Sequence, residues 1–186
     1  VRRAVPRDAL HLGWLTPPLD HPDHLAVEQA LAVLGSGPAA RLHKLMVRES
    51  ETAEGAGASQ LALAQGTSLT LVSGRAREGH TLDELEAQML GEVQRLANEG
   101  PTEVELDRAN AAYEREWLGE LAQIDSRADQ LGALTTLQGD PNRLNTHLAE
   151  ITAVTPDDVA RVARTWLAPG AHSVLHYLST DEQENA

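Results

Sequence analysis

Hydrophobic positions along the chain follow two periods. Residues 8 to 16, Asp-Ala-Leu-His-Leu-Gly-Trp-Leu-Thr, alternate with the period of two expected of a half-buried strand, and Pro17-Pro18 ends the run. A helix should follow, capped by Asp20 or Asp23, with Leu25, Leu31 and Leu34 as its apolar side and Gly35 as its stop. Ser36-Gly37-Pro38 restarts a helix whose stripe is Leu42, Leu45 and Met46 and whose polar side is Arg41, Lys44 and Arg48. Residues 55 to 74 return to strand character, with Ala56-Gly57-Ala58, Leu61 and Leu63, a turn at Gly66, and Leu69-Thr70-Leu71-Val72. A hairpin or meander fits this stretch, although its Ala and Gly content leaves a helix open for part of 56 to 65.

From Thr81 the pattern is helical. The capping box Thr81-x-x-Glu84 opens a stripe of Leu82, Leu85, Met89, Val93 and Leu96, and Gly100-Pro101 closes it. A second box, Thr102-x-x-Glu105, opens a helix with Ala109, Tyr113, Trp117 and Leu121 near one face, expected to run past Gln123. Leu131, Leu134 and Leu137, then Leu144, Leu148 and Ile151, mark further helices. Thr155-Pro156-Asp157-Asp158 is a third start, a Thr cap with Pro in the first helical position, leading to Val159, Val162 and Trp166. After Pro169-Gly170, residues 171 to 178 alternate and predict a closing strand, followed by a polar tail over 181–186. Strands and helices are segregated, so the expected fold class is α+β. It would be a mostly antiparallel sheet with helices on one face, forming a single domain over residues 1–180.

Composition narrows the function. The net charge of −13 argues against a basic surface for nucleic acid or anionic lipid, and favours soluble partners or basic peptides. The longest apolar runs, such as Leu31 to Leu34, fall far short of the roughly 20 residues that span a bilayer, so no membrane span is expected. With no cysteine, disulfides, thiolate zinc sites and Cys nucleophiles are excluded, and the cytoplasm is the expected compartment. The chain opens on Val1 directly before Arg2 and Arg3 and is expected to be a piece of something longer.

Several segments in fixed order then resemble one family. They are His11-Leu12-Gly13-Trp14 to Pro17-Pro18, His21-Pro22-Asp23, Leu34-Gly35-Ser36-Gly37, Arg41-Leu42-His43-Lys44-Leu45, Gly100-Pro101-Thr102-Glu103-x-Glu105-Leu106 and Val154-Thr155-Pro156-Asp157-Asp158-Val159. Together they are similar to the C-terminal half-domain of the pitrilysin-like (M16) zinc metallopeptidases, the group that includes mitochondrial processing peptidase and insulin-degrading enzyme. The resemblance implies a metallopeptidase half-domain of the LuxS and processing-peptidase type. Two related halves would enclose a chamber in which an extended peptide is cut, one half binding zinc through H-x-x-E-H with a downstream Glu.

That motif needs two His four apart on one helical face with a Glu between them, and this chain has none. No catalytic residue, metal ligand or cofactor is therefore expected here, and zinc is expected in the partner half. The nearest approach, His21-Pro22-Asp23-His24, has a spacing of three at a helix start, which suits capping and solvation better than zinc. His172 and His176 share a strand face with Val174 between them, too far apart for easy joint ligation. The scattered Ser50, Ser59, Ser68 and Ser73 form no nucleophile elbow, and Gly35-Ser36-Gly37 lacks the Lys of a phosphate loop.

The family's C-terminal half also uses an Arg followed seven residues later by a Tyr to contact substrate. Arg48 takes the Arg place and is the candidate substrate-binding residue, whereas the Tyr place falls at Gly55, beside Glu54. The plainer account of Arg48 is a solvated helix-end cation near Glu49 and Glu51. The resemblance thus implies a non-catalytic, substrate-enclosing half of a zinc endopeptidase. Its partners would be an N-terminal catalytic half or a separate subunit, and a peptide substrate. The alternative is a catalytically inactive structural or assembly protein of the same fold, which the missing Tyr favours.

Overall fold

The computed structural model describes residues 1–3 and 7–179; the expected tail, 181–186, lies outside the described residues. Five strands form one sheet in the order β1-β5-β2-β4-β3. They are β1 (Arg2–Arg3), β2 (Ala9–Thr16), β3 (Ala53–Leu61), β4 (Ser68–Ala76) and β5 (His172–Ser179). Among the described residues β1 pairs in parallel with β5 and the other pairings are antiparallel. The stretch from 55 to 74 is the predicted hairpin, turning through Gly66 at φ +82°, so the helix left open over 56 to 65 does not form.

Strand alternation sorts the sheet into two faces. Leu10, Leu12 and Trp14 of β2 and Val72 and Ala76 of β4 are buried on one of them. Over this face lie α1 (His24–Gly35), α2 (Leu82–Glu99) and α6 (Pro156–Trp166). The other face carries Leu15, 67% exposed, Leu61, 61%, and Leu175, 43%, with Leu69 and Leu71 leaning over Gly13. A second helical layer, α3 (Glu103–Ala122), α4 (Ile124–Leu137) and α5 (Arg143–Thr152), packs on α1 rather than on the sheet.

The expected helix starts are borne out in hydrogen bonds. Thr81, Thr102 and Thr155 each accept from the backbone N–H three residues on, and Glu84, Glu105 and Asp158 reach back in return. Every member of the α2 stripe is buried, each fully buried Leu or Met being worth about 1.5–3 kcal/mol of transfer free energy.

Three local expectations are corrected. Asp23 precedes α1 but makes no side-chain cap; its carboxylate accepts from Arg161 Nη1 at 2.7 Å and Trp166 Nε1 at 2.9 Å, tying α1 to α6. α1 does end at Gly35 as expected, and the missing side chain there also serves close approach, since a Cβ would lie 1.9 Å from the backbone nitrogen of Ala58. The helix restarted after Pro38 becomes π-helical over His43–Glu49, ending where Ser50 N–H reaches back five residues to Leu45 O at 2.8 Å. α3 stops at Ala122, because Gln123 is extended (φ −88°, ψ 133°) and lets α4 fold back against α3.

Candidate functional site

Arg48 lies in the last turn of the π-helical segment with its side chain exposed, and it makes no hydrogen bond or ion pair among the described residues. The two carboxylates nearest in sequence are occupied elsewhere: Glu49 by Lys44 at 3.7 Å and Glu51 by Arg77 at 2.8 Å. Gly55 follows a bulge in β3, where Ala53 and Gly55 oppose the successive residues Ala76 and Arg75. The bulged Glu54 is bracketed by Arg7 at 3.2 Å and Arg75 at 3.4 Å. Arg48 is thus a cation with its hydrogen-bonding fork open to solvent.

Arg41, expected on the same polar side, is 7% exposed. Its Nε and Nη2 donate to the two carboxylate oxygens of Glu105 at 2.8 and 2.7 Å, and Nη2 also donates to Gly100 O at 2.9 Å. The bidentate bond, with the help of Thr102, holds the Glu105 carboxyl down to about 2 against the upward push of burial. Glu105 therefore caps α3 and clamps the Arg41 turn to it, a structural pairing.

The histidines do not assemble a zinc site of the family's kind. His21 Nδ1 accepts from the Asp23 backbone N–H at 3.0 Å, and His24 is 5% exposed with its Nδ1 at 3.5 Å from Pro17 O, so burial replaces the solvation expected of it. His172 packs on Trp14 with ring centroids 5.1 Å apart. His176 instead faces Glu86, 3.5 Å away, with Asp83 close by, and the ligand atoms of these three lie within 4.8 Å of one another. Sequence reasoning missed this trio because it joins β5 to the first turns of α2 across the chain. One imidazole and two surface carboxylates are not the two His and Glu of one helix, so the family's catalytic zinc finds no home among the described residues.

A cleft of about 820 Å³ is walled mainly by α1, α3, α4 and α5. Tyr113 and Trp117, one turn apart on α3, stack with centroids 6.4 Å apart, and His147 of α5 lies 4.8 Å from Trp117. Burial, then Arg143, lowers the His147 pKa, while burial and the nearby Glu28, Glu120 and Glu116 raise that of Tyr113. The Tyr113 hydroxyl thus stays protonated beside a neutral His147, and the two share a hydrogen bond at Nε2, 2.6 Å apart. Glu28, on the wall formed by α1, has its carboxyl pushed up to about 7 by burial and by repulsion from Glu116. Helical spacing put Tyr113 and Trp117 on one face in the sequence; nothing there signalled that His147 and Glu28 would join them.

Residues 1–113 match the family described as the peptidase M16 inactive domain. No curated protein matches the chain significantly. Among solved structures, a protease from Helicobacter pylori superposes with a TM-score of 0.86 at 20% identity, over 95% of this chain and 43% of that one. The inactive peptidase domain from Bordetella parapertussis superposes with a TM-score of 0.85 at 19% identity, over 100% of this chain and 98% of that one. For the peptidase M16 inactive domain from Pseudomonas fluorescens the values are 0.82 and 19%, over 100% of this chain and 44% of that one. The chain spans less than half the length of the Helicobacter pylori protease chain.

Proposed function

The chain belongs to the peptidase M16 inactive domains, and from that premise we propose that it is the substrate-enclosing half of a zinc-dependent endopeptidase acting on peptides. Zinc and the general base would be supplied by an N-terminal catalytic half or a partner subunit. The observation that carries this reading is the family match in a chain without H-x-x-E-H, which leaves the chemistry to another half. Two features support it. The uncovered sheet face with Leu15, Leu61 and Leu175 is an apolar surface of the kind that meets another protein surface or an extended peptide. The unpaired Arg48 suits a backbone carbonyl or a developing oxyanion brought to it from across a chamber. The net charge of −13 would favour basic peptides, and the cytoplasm remains the compartment of this proposal. Among the described residues no helix is long and apolar enough to cross a membrane.

The test is peptide hydrolysis by this chain together with its catalytic half, in zinc-loaded, chelated and Arg48→Ala samples. Cleavage lost on chelation, with kcat/KM lowered about tenfold in Arg48→Ala, is the expected result. Zinc-loaded, folded material that cuts nothing in a broad peptide library would overturn the reading in favour of the structural or assembly role.

A further inference from the structure

The cleft between α1 and α3–α5 plays no part in the reading above, and none of its lining residues belongs to the segment carrying Arg48. Its physical peculiarity is Glu28. A carboxylate partly withdrawn from water normally acquires a cation or several N–H donors, since lost solvation must be replaced, and Glu28 is half-buried in the cleft wall. Glu28 has neither among the described residues; the charged group acting on it is another carboxylate, Glu116.

The resident cations of the cleft are engaged or peripheral. Arg143 donates to Glu150 at 2.8 Å and to Gln138, Arg108 donates to Ala39 O at 3.3 Å, and Arg115 is exposed. His24 and His147 have their pKa values lowered by burial, so they stay neutral near pH 7. What remains is a negative, partly desolvated concavity beside the stacked rings of Tyr113 and Trp117, with Leu134 buried behind. At about 820 Å³ it falls within the range of small-molecule sites, roughly 300–1,000 Å³.

We propose that this cleft binds an organic cation, an ammonium or guanidinium group on an apolar stem, with Glu28 as its counter-ion and the Tyr113 and Trp117 rings as its aromatic wall. The carboxylate would form a charge-assisted hydrogen bond, the rings would offer their negative faces, and the apolar lining would take the stem. The same chemistry is carried by a free amine and by a lysine or arginine side chain within a peptide. The inference stands apart from the peptidase reading, since it needs neither zinc nor a second half.

The experiment is a chemical-shift titration of the isotope-labelled chain, following the Trp117 indole N–H. The probes are butylamine, N-acetyl-lysine methylamide, a lysine-containing hexapeptide, and N-acetyl-norleucine methylamide as the uncharged match. Saturable shifts with the cationic probes alone are expected. Glu28→Gln, with an otherwise undisturbed spectrum, should weaken them about tenfold. Affinity should also rise between about pH 6 and pH 8, because the cation binds the deprotonated form of Glu28. Equal binding of the norleucine compound, equal binding by Glu28→Gln, or no shift at millimolar probe would each overturn the proposal. Tighter binding of the hexapeptide than of butylamine would identify a peptide side chain as the ligand; the reverse order would identify a free amine.

Discussion

α2 and α4 have similar shares of large apolar residues and opposite fates. Along α2, Leu82, Leu85, Met89, Val93 and Leu96 return at helical spacing, and all are buried against the sheet and α6. On α4 only Leu134 is buried; Ile124 is 81% exposed, Leu131 37% and Leu137 54%. α2 also begins with a capping box, whereas α4 has no side-chain cap. The inner layer is fixed by mutual burial. The outer layer, α3 to α5, rests on α1 and leaves a cleft between them.

The contrast can be broken most violently at Gly35, where the inner layer meets the sheet. Gly35→Ala sets a Cβ inside the Gly57–Ala58 backbone and should cost about 4 kcal/mol or prevent folding, as read from urea unfolding. A midpoint equal to that of the parent protein would show that α1 and β3 are not so closely apposed. Next comes the difference between the layers themselves. Met89→Ala should destabilise by about 3 kcal/mol and Ile124→Ala by no more than about 0.5 kcal/mol in the same assay; similar losses at both sites would erase the distinction.

The smallest effect sharpens it, within the cleft. The folded-state pKa of Glu28, about 7, lies above its ordinary 4.5, so the folded state holds this proton more tightly than the unfolded chain. The associated stability is complete below about pH 4.5 and is lost as pH rises through 7. Glu28→Gln should therefore gain about 2 kcal/mol at about pH 8 and almost nothing at about pH 4, by thermal or urea unfolding across pH. A gain independent of pH would mean that Glu28 is not the half-buried, unpaired acid described.

The same contrast explains what could be read in advance. Features written within a few residues were legible: three Thr caps with their carboxylate partners, the α2 stripe, the hairpin and the alternation of β2 and β5. The α+β class followed from their order. Features that join distant segments were not. Arg41 reads as part of a polar helix side because Glu105, its partner, lies 64 residues away, and Asp23 reads as a cap because Arg161 and Trp166 lie beyond α5. His176 with Asp83 and Glu86, and the whole cleft, are likewise products of packing. Arg48 could be located by resemblance, but its solitude depends on where Lys44 and Arg77 reach.

The π-helical turn at His43–Glu49 holds slack in the chain, and the bulge at Glu54 holds more. Each carries a residue beyond what an ordinary helix or ladder needs to cover the same path. Distance counted along the sequence from Arg48 to Gly55 is therefore an elastic ruler. Taking up the slack in the helix would swing Arg48 around its axis while Met46 and Ala53 could keep their places in the core. The exposed cation thus stands on the part of the chain whose path is least tightly wound, between the buried Met46 and Ala53.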